Sequence, residues 1–320
     1  MGCWRSTPPP PRISSADLDQ VAPVIRDPHL AGLAWRRIQN TELQSWPSAQ
    51  GLLQITRRTA LRNAMVRAQI EEIFALLRAA GIEPILTKGW ASARLYACPE
   101  LRGYGDVDLV IRPGELAAAR ALLCGRTDVD LDHFEFASLS EIAIDDIFDH
   151  SQLVSINGSS IRVLGPEDHL SLLCRHFFRH LAAYPVGLCD VAAALESIPA
   201  RFDWNRCLGT STQQAHWVEC GVKLAQDLLS ARLEQPFSIP RWLVPAVLER
   251  WAAKPSPIRP VSQASNVLQA SIDRWPSPLQ ATLLLGRRID NTPRLPYQML
   301  WFGRLAWRFV HRSVVLRRRQ

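Results

Sequence analysis

Apolar residues recur at helical spacing along one long segment in the first third of the chain. They are Leu61, Met65, Ile73, Leu76 and Leu77. This spacing predicts an amphipathic helix from about residue 52 to residue 80, and Gly81 is a natural residue to end it. Residues 13–50 are predicted to form short helices joined by loops.

The clearest strand pattern covers residues 106–111, where apolar and acidic positions alternate. Val107, Leu109 and Ile111 alternate with Asp106, Asp108 and Val110. Side chains at i and i+2 share a face of a strand, so the two aspartates share one face and the apolar series faces the core. Further strands are predicted at 84–87, 128–136 and 161–164, the last closing a hairpin through Asn157-Gly158.

From Pro166 onward the pattern is almost entirely helical. Pro166-Glu167-Asp168 is a typical helix start, and a last helix is predicted from about residue 296 to 319. Residues 234–265 are proline-rich and are predicted to form a connector with one short helix. We therefore predict three parts: a disordered leader (1–12), an α/β domain with N-terminal helices (13–165) and a helical domain (166–320).

Composition narrows the class of protein. Of the 320 residues, 47% are hydrophobic and 21% are charged, as in a globular protein, and the net charge of +7 suits anionic partners such as nucleotides, nucleic acid or acidic lipid. No run of eighteen apolar residues exists, so no membrane span is expected. The seven cysteines include no CxxC pair, which indicates neither a zinc site nor a disulfide framework and favours reduced thiols in the cytoplasm.

Asp106 and Asp108 are the strongest candidates for chemistry. Two neighbouring carboxylates repel one another unless a cation lies between them, and hard divalent ions bridge carboxylates to phosphate oxygens. Taken alone, the spacing also fits a solvated strand edge. Upstream, the predicted strand 84–87 breaks at Lys88-Gly89 before a predicted helix (91–96). A glycine there lets a phosphate approach the backbone, and Lys88 adds a positive charge.

These segments together resemble a known family. The stretch Leu86-Thr87-Lys88-Gly89, then Tyr96, then Leu101-Arg102-Gly103-Tyr104-Gly105-Asp106-Val107-Asp108-Leu109-Val110 resembles the uncharacterised nucleotidyltransferase-like family of the DNA polymerase β superfamily. Arg62-Asn63 and Val163-Leu164-Gly165-Pro166-Glu167-Asp168 fit the same family. The resemblance covers roughly residues 52–195.

The resemblance implies an α/β (α+β) fold of nucleotidyltransferase type: a mixed sheet with flanking helices, followed by a helical domain. It implies transfer of a nucleotidyl group from a nucleoside triphosphate, with Mg²⁺ or Mn²⁺ as cofactor. The implied catalytic and metal-binding residues are Asp106, Asp108 and Asp130; the implied nucleotide-binding residues are Lys88, Gly89 and Arg102. An ion pair with a nearby carboxylate is an equal alternative for Arg102.

The third carboxylate is assigned by the same resemblance. Asp128, Asp130 and Asp132 share one phase of the predicted strand 128–136. Val129-Asp130-Leu131 best matches the family's Val-Asp-Leu-His-Trp, which favours Asp130, while Asp132-His133-Phe134 stands where the His-Trp should be and leaves Asp132 as the alternate. Asp130 would hold a second ion or act as a base. Asp145 and Asp149 are further candidates, although a solvated face is favoured for their acidic stretch.

Other residue patterns favour structural roles. His169, His176 and His180 share a helix face but lack the spacing of a zinc site, so core-edge packing is favoured. Asp190 matches a motif aspartate of the family, with a helix cap or a buried partner for an arginine as the alternative. The last helix carries Arg304, Arg308 and Arg312 beside an aromatic face, which leaves an anionic contact open.

Two rival functions remain at this stage. One is a catalytically degenerate domain that serves as a binding or scaffold module. The other is a toxin-like transferase that acts on tRNA or protein. The acceptor, which could be a small molecule, a protein or RNA, is not fixed by the sequence.

Overall fold

The computed structural model describes residues 2–131, 142–233, 236–252 and 275–317, with side chains for all of these except 306 and 308–317. The chain forms two compact units: residues 1–176 with 185–237, and residues 177–184 with 238–320. The helices of the first unit are α1 (Ser15–Ile25), α2 (Pro28–Ile38), α3 (Pro47–Ala79), α4 (Trp90–Ala93), α5 (Leu116–Leu122), α6 (Ile144–His150), most of α7 (Pro166–Arg179), α8 (Pro185–Leu195), α9 (Trp204–Leu208) and α10 (Thr212–Leu229).

A five-stranded mixed sheet lies at the centre of the first unit. Its strands are β1 (Ile85–Leu86), β2 (Val107–Val110), β3 (Val129–Leu131), β4 (Gln152–Ile156) and β5 (Ser159–Val163), in the spatial order β3-β2-β1-β5-β4. β2 runs antiparallel to β1 and parallel to β3, and β5 runs parallel to β1 and antiparallel to β4. This sheet with its flanking helices is the predicted fold class.

The predicted hairpin and the long helix are also observed. Asn157 and Gly158 both have positive φ, as a two-residue hairpin requires. α3 ends at Ala79 with Gly81 at positive φ, as predicted, but it starts five residues earlier than expected. Pro47 occupies its first turn, where the missing backbone N–H costs no helical hydrogen bond.

Apolar side chains cover both faces of the sheet. On one face, α3 packs Ile70, Phe74 and Leu77 against Val107 and Leu109. On the other face, Ile85 and Val110 pack against α6 and α7 through buried residues that include Ile147, Phe148 and Leu172. Both phases of β2 are therefore buried, including Asp108, whereas Asp106 precedes the strand and is exposed.

The predicted leader has packed side chains. Trp4 is buried, and the Arg5 guanidinium binds the Glu196 carboxylate, with the Nη2–Oε1 pair at 2.5 Å. Ala97 N donates to Trp4 O at 2.9 Å. These contacts order the N-terminal segment because they join it to parts of the chain that are distant in sequence.

The compact units divide the chain at a different place from the predicted boundary at residue 165. α8 contacts α2, α4 and α10, so these helices belong with the sheet. The second unit contains α11 (Leu243–Ala252), α12 (Pro278–Leu284) and α13 (Leu295–Arg317). Among the helices that the structure describes, none is both long and apolar enough to span a bilayer.

Candidate functional site

The end of β1 turns sharply at Lys88-Gly89. Gly89 has φ +59° and ψ −113°, a conformation that side chains with a Cβ rarely adopt. A Cβ atom at this position would lie 3.2 Å from the carbonyl oxygen of Asp106. The glycine therefore lets the β1–α4 turn lie directly against the backbone that carries the two aspartates.

The helix after this turn is shorter than predicted. α4 covers only Trp90–Ala93, whereas a helix from residue 91 to 96 was expected. A single turn of helix sums few peptide dipoles, so the expected contribution of a helix dipole to phosphate binding is small. The positive charge at this place comes from Lys88.

Lys88 and Asp108 form a buried ion pair. Lys88 Nζ lies 2.7 Å from Asp108 Oδ1, and their side chains are 13% and 6% exposed. Burial raises the pKa of Asp108 to about 6; Lys88 opposes this effect, while Asp106 and Asp130 add to it. Two acidic groups and one lysine thus influence the Asp108 carboxylate, as in many catalytic sites.

Asp106 and Asp130 flank Asp108. Asp106 is exposed and precedes β2, two residues from Asp108 on the same face. The parallel pairing of β2 and β3 sets Asp108 opposite Asp130, which is also exposed. The alternate third carboxylate, Asp132, lies outside the described residues, as does the end of the predicted strand 128–136.

The carboxylate oxygens at this site fit a divalent ion that also takes ligands from outside the protein. Among the described residues, no three or more His, Cys, Asp and Glu side chains are gathered closely enough to hold a metal ion. Asp106 and Asp108 offer the hard oxygen ligands that Mg²⁺ and Mn²⁺ take, and Mg²⁺ in such sites completes its shell with phosphate oxygens and water.

Arg102 forms a buried ion pair with Asp190. Its Nη2 lies 2.5 Å from Asp190 Oδ2, and its Nε donates to Asp190 Oδ1 at 3.1 Å. Tyr96 donates its hydroxyl to the same Oδ1 at 2.7 Å. Burial lowers the pKa of Arg102 but Asp190 outweighs it, so the pKa is raised overall. This buried, paired charge is the ion-pair alternative that the sequence left open, and nucleotide binding by Arg102 stays a prediction.

Asn63 connects α3 to the segment before β2. Its Nδ2 donates to Glu100 O at 3.0 Å and to Arg102 O at 3.1 Å, and its Oδ1 accepts from Tyr104 N at 3.2 Å. The amide is fully buried, so these bonds fix the backbone that leads into Asp106. Asn63 was found in the sequence only as part of the family resemblance, because no local sequence pattern shows which backbone groups its amide binds.

Arg62, next to Asn63, is a cation at the site that sequence reasoning assigned no role. It is exposed, and its Nη2 donates to Gly105 O at 3.4 Å, one residue before Asp106. Its position in a long helix gave no signal, since the approach to Gly105 depends on tertiary packing.

Two of the remaining candidates, His169 and Asp145, have structural partners. Ser92 Oγ and His169 Nε2 are 3.4 Å apart in the core, and burial together with Arg94 lowers the pKa of His169 to about 3, so the ring is neutral. Asp145 pairs with Arg112 at 3.0 Å. Glu135 and Glu141, which precede Asp145 in the same acidic part of the sequence, lie outside the described residues.

A five-stranded mixed sheet with paired aspartates beside a strand-ending Lys-Gly turn defines a protein of the nucleotidyltransferase class. A family model described as "Uncharacterised nucleotidyltransferase" matches residues 14–128 and 124–230, more than half of the chain. The chain belongs to this family, and the predicted family and fold class are confirmed. Neither the curated proteins nor the solved structures include a significant match.

Proposed function

We propose that this protein is a metal-dependent nucleotidyltransferase that moves a nucleoside monophosphate from a nucleoside triphosphate to an acceptor nucleophile. The observation that carries the proposal is the buried Asp108 carboxylate, paired with Lys88 and flanked by Asp106 and Asp130. Burying the Asp108 carboxylate costs free energy. The ion pair with Lys88 does not explain why two further carboxylates lie beside it.

Lys88 has two roles in this proposal. Without substrate its ammonium group neutralises Asp108. With a triphosphate present, the ammonium turns to the phosphate oxygens, and Asp106 and Asp108 would then hold a divalent cation. Mg²⁺ or Mn²⁺, when bound there, supplies positive charge between the carboxylates and the phosphates. The turn at Gly89 lets the phosphates approach the backbone closely.

The transfer step needs a base and a leaving group. The acceptor oxygen bonds to the α-phosphorus, the bond from that phosphorus to the bridging oxygen of the β-phosphate breaks, and pyrophosphate leaves. Asp130 accepts the proton of the acceptor hydroxyl, since it lies on the same face as Asp108 and is open to solvent. Arg62 adds positive charge near the phosphates, whereas Arg102 acts indirectly by fixing the loop before Asp106.

The test is transfer of label from each of the four α-³²P nucleoside triphosphates to a cell lysate, followed by separation of RNA, protein and small molecules. We expect label in one fraction with Mg²⁺ or Mn²⁺, and a loss of roughly 100-fold in Asp106→Asn, because one electrostatic contact to the reacting groups is removed. Asp106 is exposed, so the variant should fold normally. Asp227→Asn, at an exposed pair with Lys223, is the matched control and should retain activity.

Three results would contradict this function or narrow it. Absence of transfer from all four nucleotides would contradict an enzyme. Metal-dependent nucleotide binding by calorimetry without transfer would favour the degenerate binding module, for which the Lys88–Asp108 pair would be a purely structural contact. Growth arrest on expression, relieved by Asp108→Ala, would identify the acceptor as tRNA or protein.

A further inference from the structure

One face of α13 exposes a row of large apolar side chains. Leu295, Met299, Leu300 and Trp307 are 59%, 59%, 44% and 68% exposed. The last three line a shallow groove together with Gly303 and Arg304. Leu295, Met299, Gly303 and Trp307 follow one another at four-residue spacing, which places them along one face of the helix. We call these four residues and Leu300 the apolar stripe of α13.

The apolar stripe is not the face by which α13 packs within its unit. Phe302 stacks against Trp275 with ring centroids 5.2 Å apart, and Gln298 Nε2 donates to Pro276 O at 2.7 Å. Tyr297 packs under the guanidinium group of Arg294. Tyr297 lies on the opposite side of the helix from Met299, and Gln298 and Phe302 lie to one side of the stripe. The contacts among the described residues of the unit therefore do not cover the stripe.

Charge identifies the kind of surface that would cover the stripe. Residues 295–320 contain six arginines and no aspartate or glutamate. A second copy of the chain would present the same positive charge and be repelled. A helix with exposed Leu, Met and Trp on one side and many arginines is typical of helices that lie in the interface of an anionic bilayer.

We propose that α13 docks the protein on a membrane surface rich in anionic lipid. The helix lies parallel to the surface, with the apolar stripe in the boundary between headgroups and acyl chains and with Arg304 at the lipid phosphates. Trp307 is suited to this boundary because its ring is apolar and its indole N–H can bond to a headgroup. The proposal does not depend on the transferase activity.

The test is co-sedimentation of the full-length protein with vesicles of phosphatidylcholine alone, and of phosphatidylcholine and phosphatidylglycerol in equal parts. We expect binding only to the anionic vesicles, with a steep loss as salt rises. Arg304→Gln should weaken binding about fivefold, as expected for one basic side chain at an anionic surface. The double variant Met299→Ser/Trp307→Ser should weaken it more than tenfold.

Met65→Ser is the matched control, because Met65 on α3 is 67% exposed and lies outside the stripe. It should sediment as the wild type does. Equal binding to both kinds of vesicle, or wild-type binding by the double variant, would overturn the proposal. Two other results would also overturn it. The first is light scattering that shows a dimer for the wild type and only a monomer for the double variant. The second is a single-stranded RNA that displaces the vesicles and binds the double variant and the wild type equally tightly.

Discussion

Burial and ion pairing act in opposite directions on Asp108. Both faces of the sheet are covered at β2, so the Asp108 carboxylate loses hydration. The ion pair with Lys88 Nζ, 2.7 Å away, offsets part of the free-energy cost of that loss. The sequence predicted that Asp106 and Asp108 share a face, because strand periodicity fixes this. It did not predict that only one of them is buried, since burial depends on α6 and α7, which come later in the chain.

The pH dependence of stability should reveal this burial. The pKa of Asp108 is raised from 3.8 to about 6, so the folded chain binds more protons than the unfolded chain between these values. Stability contributed by Asp108 is therefore present at low pH and is lost as the pH rises through that window. Relative to Asp108→Asn, the wild type should lose about 3 kcal/mol of unfolding free energy across it in metal-free buffer.

Chemical denaturation at a series of pH values would measure this difference. Asp17→Asn is a control of opposite sign, because hydrogen bonds from the backbone and side chain of Ser14 lower the pKa of Asp17. The wild type should gain stability relative to Asp17→Asn as the pH rises. A difference between wild type and Asp108→Asn that does not change with pH would contradict the burial argument.

At the scale of elements, the β1–α4 turn brings the end of β1 close to the start of β2. The sequence located the strand, the turn and the glycine correctly, because each has a local signal. It overestimated α4, since a run of helix-forming residues does not show where packing ends a helix. The close approach of Gly89 to Asp106 O is a contact between segments seventeen residues apart and has no local signal.

Gly89→Ala should lower both stability and activity. The positive φ at Gly89 costs roughly 1–3 kcal/mol for a residue with a Cβ, and the new methyl group presses on the backbone of Asp106. Transfer activity should fall because Asp106 moves. Thermal denaturation and the labelled-nucleotide assay would measure the two effects.

The Gly81→Ala variant separates the effect of backbone strain from the effect of the contact between Gly89 and Asp106. Gly81 has φ +78°, but a Cβ there would meet no atom within 4 Å. This control should lose about 1 kcal/mol of stability and keep its activity. Equal activity in both alanine variants would show that the contact between Gly89 and Asp106 does not position the site.

At the scale of the molecule, buried polar contacts join parts of the first unit that are far apart in sequence. Asp190 on α8 binds Arg102 and Tyr96, and the N-terminal segment packs in the same unit through Trp4 and Arg5. The predicted boundary at residue 165 separated α8 from the sheet, because a change from strand to helix patterns does not show which elements pack together.

Asp190→Ala should be strongly destabilising. It leaves Arg102 and Tyr96 buried without their shared acceptor, and breaking a buried pair in this way costs about 3–5 kcal/mol. Chemical denaturation would measure the loss. Asp227→Ala, which breaks an exposed ion pair with Lys223, is the control and should cost less than about 1 kcal/mol. Similar losses in both variants would contradict the structural role of the Asp190 cluster.

The sequence by itself determined four of the strands, the long helix and the family, and it predicted Lys88, Gly89, Asp106 and Asp108 as site residues, because periodicity, turn chemistry and motif spacing are local properties. Tertiary structure alone decided that Asp108 pairs with Lys88, that Arg102 forms an ion pair with Asp190, and that α8 packs in the same unit as the sheet. The physical reason is that desolvation and ion pairing depend on which distant side chains surround a group, and neighbours along the chain do not specify them.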